Sequence, residues 1–119
     1  MRRALAGVFA GAVLVSSTIP AVAHSLLLEA RPAANSAVGA PARVTLRFNN
    51  RIEKRLSRVT IVEGERMRHD LAIIASEGAT DTLTALAPPL VPGAYHVEWQ
   101  VLSTDGHVVT GRYPFRVVP

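Results

Sequence analysis

The sequence predicts an all-β domain of about seven short strands. Apolar and polar residues alternate in several short runs, and Pro, Gly, Asn and Asp separate these runs. A helical turn is predicted only within Ile52–Arg58. This pattern favours a compact β-sandwich or a Greek-key barrel. Cysteine is absent, so packing alone must hold the domain together.

The strand predictions follow from the individual runs. In the clearest of them, Tyr95, Val97 and Trp99 share one face and are predicted to enter the core, whereas His96 lies on the polar face. Pro32–Pro41 is predicted to be a loop. In chain order, the predicted strands are Leu26–Leu28, Val44–Phe48, Val59–Ile61, Leu71–Ile74, Thr82–Leu86, Ala94–Val101 and Tyr113–Val117.

The first 23 residues have the three parts of a secretory signal peptide. Two arginines precede the apolar segment Ala4–Val15, and Ala21-Val22-Ala23 fits the small-residue cleavage pattern. The apolar segment is shorter than the roughly 20 residues that a membrane span needs. We therefore expect residues 1–23 to be removed and residues 24–119 to form the exported domain, with an uncleaved anchor as the alternative.

The charge of the mature domain argues against a nucleic-acid partner. Removal of two signal-peptide arginines from 13 basic residues, against nine acidic ones, lowers the net charge from +4 to +2. A nucleic-acid site needs a basic stripe with stacking aromatics, and only Arg51–Arg58 is densely basic. We interpret that segment as a solvated loop; docking to a membrane surface or an acidic partner is the alternative.

His24 is the first candidate metal ligand. Cleavage after Ala23 would give this residue a free α-amine beside its imidazole, and together the two nitrogens close a chelate ring. Such a pair suits Cu(II), which binds N/O sites most tightly among the divalent ions and favours tetragonal geometry. The alternative is that a histidine follows the cleavage site by chance.

The second candidate is the segment Ser103-Thr104-Asp105-Gly106-His107. Asp105 and His107 stand at i and i+2 in a predicted loop or strand end, which places both side chains on the same face. With His24 they would supply three nitrogens and one oxygen, a planar set suited to Cu(II). The alternative is an ordinary Asp-Gly turn beside a surface histidine. Without cysteine, a thiolate site such as blue copper is excluded.

A longer string of residues carries a family resemblance. Pro92-Gly93-Ala94-Tyr95-His96-Val97-Glu98-Trp99 is followed by Ser103–His107 and then by Gly111. With this string, the chain from His24 to Val117 resembles the CopC family of periplasmic copper-binding proteins. The resemblance implies an Ig-like or cupredoxin-like Greek-key β-sandwich. It also implies a periplasmic location and one Cu(II) per monomer, held by His24, Asp105 and His107.

Two positions depart from the family pattern. Asn50 stands where many members have a glutamate near the copper, so ligand orientation and affinity are expected to differ. Some members have a Met-rich Cu(I) site, but Met67 is the only methionine after the signal peptide. One thioether does not make a Cu(I) site, which indicates a Cu(II)-only form.

These observations predict a binding protein rather than an enzyme. We expect a Cu(II) carrier or buffer in copper homeostasis and resistance, serving a membrane transporter of the CopD type or another periplasmic copper protein. The alternatives are a copper monooxygenase-like enzyme with an N-terminal histidine brace and a metal-free Ig-like module. His69 is predicted to be a surface-loop residue. For His96, a solvated or cross-strand role is expected, with an accessory role near copper as the alternative.

Overall fold

Two β-sheets form the computed structural model, which describes residues 26–65 and 67–119 together with Gly7 and Gly11. One sheet has the strand order β1-β3-β7-β6 and the other β2-β9-β8-β4-β5. Among the strands of these described residues, only β2 and β9 pair in parallel. The strands are β1 Leu27–Arg31, β2 Ala37–Val38, β3 Arg43–Phe48, β4 Arg58–Glu63, β5 Met67–Asp70, β6 Ala72–Ile73, β7 Thr82–Leu86, β8 Gly93–Leu102 and β9 Val108–Val117.

The predicted all-β sandwich is confirmed, with small differences in its strands. Seven of the nine strands in the described part of the chain have four residues or more. A 3₁₀ turn at Lys54–Leu56 lies within the predicted helical segment. The prediction missed β5, because Met67–Asp70 has no apolar alternation, and it missed the short β2 inside the predicted loop.

Alternating residues of both sheets form the core. Val44, Leu46 and Phe48 of β3 are fully buried, and so are Ile61 of β4 and Val97 of β8. Intervening residues such as Arg47 and Gln100 are exposed. The side-chain period of two thus places one face of these strands in the core and the other in water.

The first strand departs from a simple alternation. A register irregularity lies between Leu27 and Glu29, so Leu28 has no direct partner in the β1–β3 register. Leu26 and Leu28 are 61% and 54% exposed, whereas Leu27 and Ala30 pack against the core. The apolar alternation of Leu26 and Leu28 therefore does not mark the buried face of β1.

Trp99 packs against the core as predicted, and Gly111 makes room for it. The two residues are opposite each other in the β8–β9 ladder. A Cβ at Gly111 would lie 2.1 Å from Cζ2 of the indole. The indole also packs edge-on against Phe48 and at a tilt against Tyr113, with ring centroids 6.3 and 5.9 Å away. Any larger residue at position 111 would have to displace the indole.

Candidate metal centre

The Asp-Gly-His segment lies in the turn that joins β8 to β9. The amide of Ser103 donates to the carbonyl of His107 at 2.9 Å, and the amide of Gly106 donates to the carbonyl of Ser103 at 2.9 Å. Gly106 has φ +90°, a conformation that favours glycine. These features fold residues 103–107 into a tight turn that brings Asp105 and His107 together.

Both oxygens of the Asp105 carboxylate face His107. Oδ2 lies 3.2 Å from Nδ1 of the imidazole, and Oδ1 accepts a 3.1 Å hydrogen bond from the His107 amide. The His107 amide, followed by its imidazole, lowers the pKa of Asp105 below its usual value. The carboxylate therefore stays ionised at pH values where an ordinary aspartate begins to take up a proton.

The Asp105 carboxylate and the His107 imidazole suit a metal ion that prefers nitrogen and oxygen ligands. The Asp105 and His107 side chains are 39% and 59% exposed, so an ion can reach them from solvent. An ionised carboxylate and an imidazole are both ligands that Cu(II) accepts. Two groups do not complete a site, and residues 26–65 and 67–119 contain no cluster of three or more His, Asp or Glu side chains able to hold an ion.

The segment that follows β3 connects this turn to the start of β1. The amide of Thr104 donates to the carbonyl of Arg51 at 3.2 Å, and Ile52 forms an isolated β-bridge with Ser103. Asn49, two residues before Arg51, forms two hydrogen bonds with Leu26. The Asp105–His107 turn and the N-terminal end of β1 therefore lie at the same end of the sandwich.

Asn49 is the residue at this end that sequence reasoning missed. Its amide donates to the Leu26 carbonyl at 3.0 Å, and its side-chain Oδ1 accepts from the Leu26 amide at 2.7 Å. Asn50, the predicted tuning residue, is half-buried beside it and forms no side-chain hydrogen bond with the described part of the chain. Nothing in the sequence separates the two asparagines.

The predicted ligand His24 and the predicted signal peptide, residues 1–23, lie outside the described residues, apart from Gly7 and Gly11. The described chain resumes at Leu26, two residues after His24. In the part of the chain that the structure describes, no helix is long and apolar enough to cross a membrane.

His69 and His96 lie far from the Asp105–His107 turn. His96 is six residues before the end of β8, which corresponds to roughly 20 Å at about 3.3 Å per residue. His69 lies on β5 opposite Ile61, with Nε2 3.8 Å from Oε2 of Glu63. The prediction of a loop position for His69 is wrong, because β5 pairs with β4 there. The accessory role of His96 near copper is not supported, because strand geometry separates it from the turn.

Part of the basic segment Arg51–Arg58 has a structural role. Nζ of Lys54 donates to the carbonyls of Glu77 and Gly78 at 2.7 and 3.2 Å. These bonds tie the 3₁₀ turn to the segment between β6 and β7. Lys54 is therefore not a freely solvated side chain, in contrast to the prediction for this segment.

Fold and site together define a class: a small β-sandwich domain with an exposed carboxylate–imidazole pair at one hairpin tip. The CopC domain model matches residues 27–118. The chain is 36% identical over 114 residues to protein YobA of Escherichia coli K12, covering 92% of each chain. It is 30% identical over 118 residues to copper resistance protein C of Escherichia coli, covering 92% of this chain and 94% of that protein.

A solved structure agrees with these matches. The crystal structure of CopC from Methylosinus trichosporium OB3b superposes with a TM-score of 0.72 at 37% identity, covering 81% of this chain and 95% of that chain. The protein therefore belongs to the CopC family, and its function is related to copper. The resemblance found in the sequence is confirmed.

Proposed function

We propose that the protein is exported to the periplasm, cleaved after Ala23, and binds one Cu(II) ion as a carrier or buffer in copper homeostasis and resistance. The observation that carries this proposal is the exposed Asp105–His107 pair, with side chains 3.2 Å apart at the tip of the β8–β9 hairpin. Membership of the CopC family supports copper as the cargo.

The proposed ligand set is the amine and imidazole of His24, the imidazole of His107 and the carboxylate of Asp105. Two residues of extended chain reach at most about 7 Å. In the sequence His24 stands two residues before Leu26, and Leu26 is held at the same end of the sandwich as the turn. Three nitrogens and one oxygen satisfy the tetragonal preference of Cu(II) better than the tetrahedral preference of Zn(II).

The position of the site suits transfer rather than catalysis. Both Asp105 and His107 are accessible at a hairpin tip, so a second protein can approach the metal without unfolding of the core. The recipient or donor we propose is a membrane copper transporter of the CopD type or another periplasmic copper protein. We propose no catalytic activity, because Asp105 would occupy the fourth equatorial position that a copper monooxygenase leaves open for oxygen.

Two measurements test this function. The intact mass of the protein secreted by its host should correspond to residues 24–119. Titration of that protein with Cu(II) should saturate at one equivalent with a tetragonal electron paramagnetic resonance spectrum, and Zn(II) should compete poorly. A metal-free interaction module would show no saturable binding, and an enzyme would produce peroxide from ascorbate and oxygen; either result would contradict the proposal.

Acidification provides a further check on the ligands. The α-amine of an ordinary peptide has a pKa of about 7.7–8.0, and it must lose its proton to bind metal. Copper affinity should therefore decrease as the pH falls below 8, and binding near neutral pH should release protons. An affinity that stays constant from pH 8 to pH 6 would argue against amine ligation.

A further inference from the structure

Asn49 and Leu26 form a two-point clasp immediately before β1. The Asn49 amide donates to the Leu26 carbonyl at 3.0 Å, and the Leu26 amide donates to Oδ1 of the Asn49 side chain at 2.7 Å. The β1–β3 pairing begins one residue later, with Leu27 opposite Phe48. The clasp therefore extends the fixed part of the chain by one residue toward the N-terminus.

This clasp contributes little to the hydrophobic core. Asn49 is exposed and Leu26 is 61% exposed, whereas the neighbouring Phe48 is fully buried. The side chain of Asn49 takes the place of a backbone carbonyl that would otherwise accept the Leu26 amide. An exposed side chain in this position is better suited to fixing the direction of the chain than to holding the sheets together.

The same short segment also holds the Asp105–His107 turn. Two residues after Asn49, the carbonyl of Arg51 accepts from the Thr104 amide at 3.2 Å, and Ile52 bridges to Ser103. The 49–52 segment thus has Leu26 bound at one end and the turn bound at the other. Residues 49–52 therefore fix the position of Leu26 relative to the Asp105–His107 pair.

We propose that Asn49 is a positioning residue for the metal site: its side chain fixes Leu26 so that His24, two residues upstream, meets Asp105 and His107. This inference rests on the proposed function, in which His24 supplies two of the ligands. Asn49 itself binds no metal in this arrangement. Asn49 holds Leu26 in place before the metal binds. The entropy cost of bringing the ligands together is therefore lower.

The metal-free protein provides the first test. In protein beginning at His24, Asn49→Ala should accelerate hydrogen exchange of the Leu26 amide, while the melting temperature stays close to the wild-type value. Asn50→Ala is the matched control and should leave that exchange unchanged. Asn49→Asp keeps an acceptor oxygen of the same reach and should restore protection of the amide.

Copper affinity provides the second test. Loss of a group that orients a metal ligand typically costs 10- to 100-fold in affinity, so Asn49→Ala should weaken Cu(II) binding roughly tenfold. The loss for Asn50→Ala should be smaller. For Asn49→Asp, only the hydrogen exchange of the Leu26 amide is compared. The copper affinity of this variant is not compared, because the new negative charge would itself attract the ion.

Two results would overturn the inference: unchanged Leu26 exchange in Asn49→Ala, or an unchanged Cu(II) affinity of Asn49→Ala relative to the wild type. Failure of the proposed function would be seen in the wild-type protein rather than in the Asn49 variant. If the wild-type protein beginning at His24 does not bind Cu(II), the function is wrong and the positioning role fails with it. If the wild type binds as proposed and Asn49→Ala binds equally tightly, only the positioning role is wrong.

Discussion

The body and the tip of the β8–β9 hairpin differ sharply, although the string of residues that resembles the CopC family runs through both. In the body, Tyr95 stacks on Phe115 with ring centroids 5.6 Å apart, and Trp99 lies over Gly111. At the tip, Asp105 and His107 are exposed and contact each other. The same string therefore contains residues that pack in the core and exposed residues whose groups suit metal binding.

The separation between these regions predicts that they can be altered independently. Gly111 is four residues from His107, roughly 13 Å along an extended strand. Effects of substitutions more than about 7–10 Å apart usually add. Tip substitutions should therefore reduce copper affinity without loss of stability, whereas body substitutions should reduce stability without changing the affinity of the folded protein.

The largest effect is expected for His107→Ala. Loss of a residue that only hydrogen-bonds to a metal ligand typically lowers metal affinity 10- to 100-fold. Loss of a direct ligand should therefore weaken Cu(II) binding by at least about 100-fold, or about 2.8 kcal/mol. The imidazole is 59% exposed, so the melting temperature should hardly change. Competition titration against a chelator and thermal unfolding measure the two quantities.

His69→Ala is the matched control for this experiment. His69 also has a carboxylate nearby, with Oε2 of Glu63 at 3.8 Å, but it lies on β5 away from the tip. Its substitution should leave copper affinity within about twofold of wild type, a change of about 0.4 kcal/mol. If His69→Ala and His107→Ala lose the same copper affinity, binding is not specific to the tip of the β8–β9 hairpin.

Gly111→Ala is the corresponding change in the body. The new Cβ would lie 2.1 Å from the Trp99 indole, and overpacking of this kind typically costs about 1–3 kcal/mol of unfolding free energy. Gly39→Ala is the control, because a Cβ there has no atom within 4 Å. Chemical denaturation should show a large difference between the two variants, with one-to-one copper binding preserved in both; a stable Gly111→Ala protein would contradict the packing account.

Asp105→Asn should give a smaller change in affinity. The amide keeps an oxygen at the same place but removes the charge, so binding should weaken roughly tenfold. The folded pKa of Asp105 is lowered, so the carboxylate adds stability above its unfolded pKa, and this is lost as the pH falls through the folded pKa. Between pH 8 and pH 6 Asp105 therefore stays ionised, and its charge should contribute to copper binding throughout that range. Competition titration of Asp105→Asn against a chelator measures the loss; binding as tight as that of the wild type would contradict ligation by the Asp105 carboxylate.

Local patterns were sufficient to predict most of the fold. Alternation in β3 and β8 identified their buried faces, and the Asp-Gly turn, which was the alternative prediction for residues 105–106, is found between β8 and β9. The same patterns failed for β5, whose Met-Arg-His-Asp sequence has no apolar face, and for Leu26 and Leu28, which flank the core-facing Leu27 and are exposed. In both places, pairing with a neighbouring strand determines the structure, and pairing is not visible in a local sequence.

The site was predictable only in part. Asp105 and His107 are two residues apart in the sequence, so their proximity follows from local geometry. The clasp between Asn49 and Leu26 joins residues 23 positions apart. Asn49 and Asn50 are chemically identical in the sequence, and only the direction of each side chain in the fold gives the first of them a hydrogen bond to the N-terminal arm.

The most direct test of the account is to add one glycine before His24. The core should be unaffected, because chain termini generally tolerate such changes, and circular dichroism with thermal unfolding can confirm this. The addition converts the His24 amine into an amide and breaks the chelate ring, so Cu(II) binding should weaken by at least about 100-fold, or about 2.8 kcal/mol, relative to the protein that begins at His24. If the extended protein is folded and binds Cu(II) as tightly as the unextended one, His24 is not the anchor of the site.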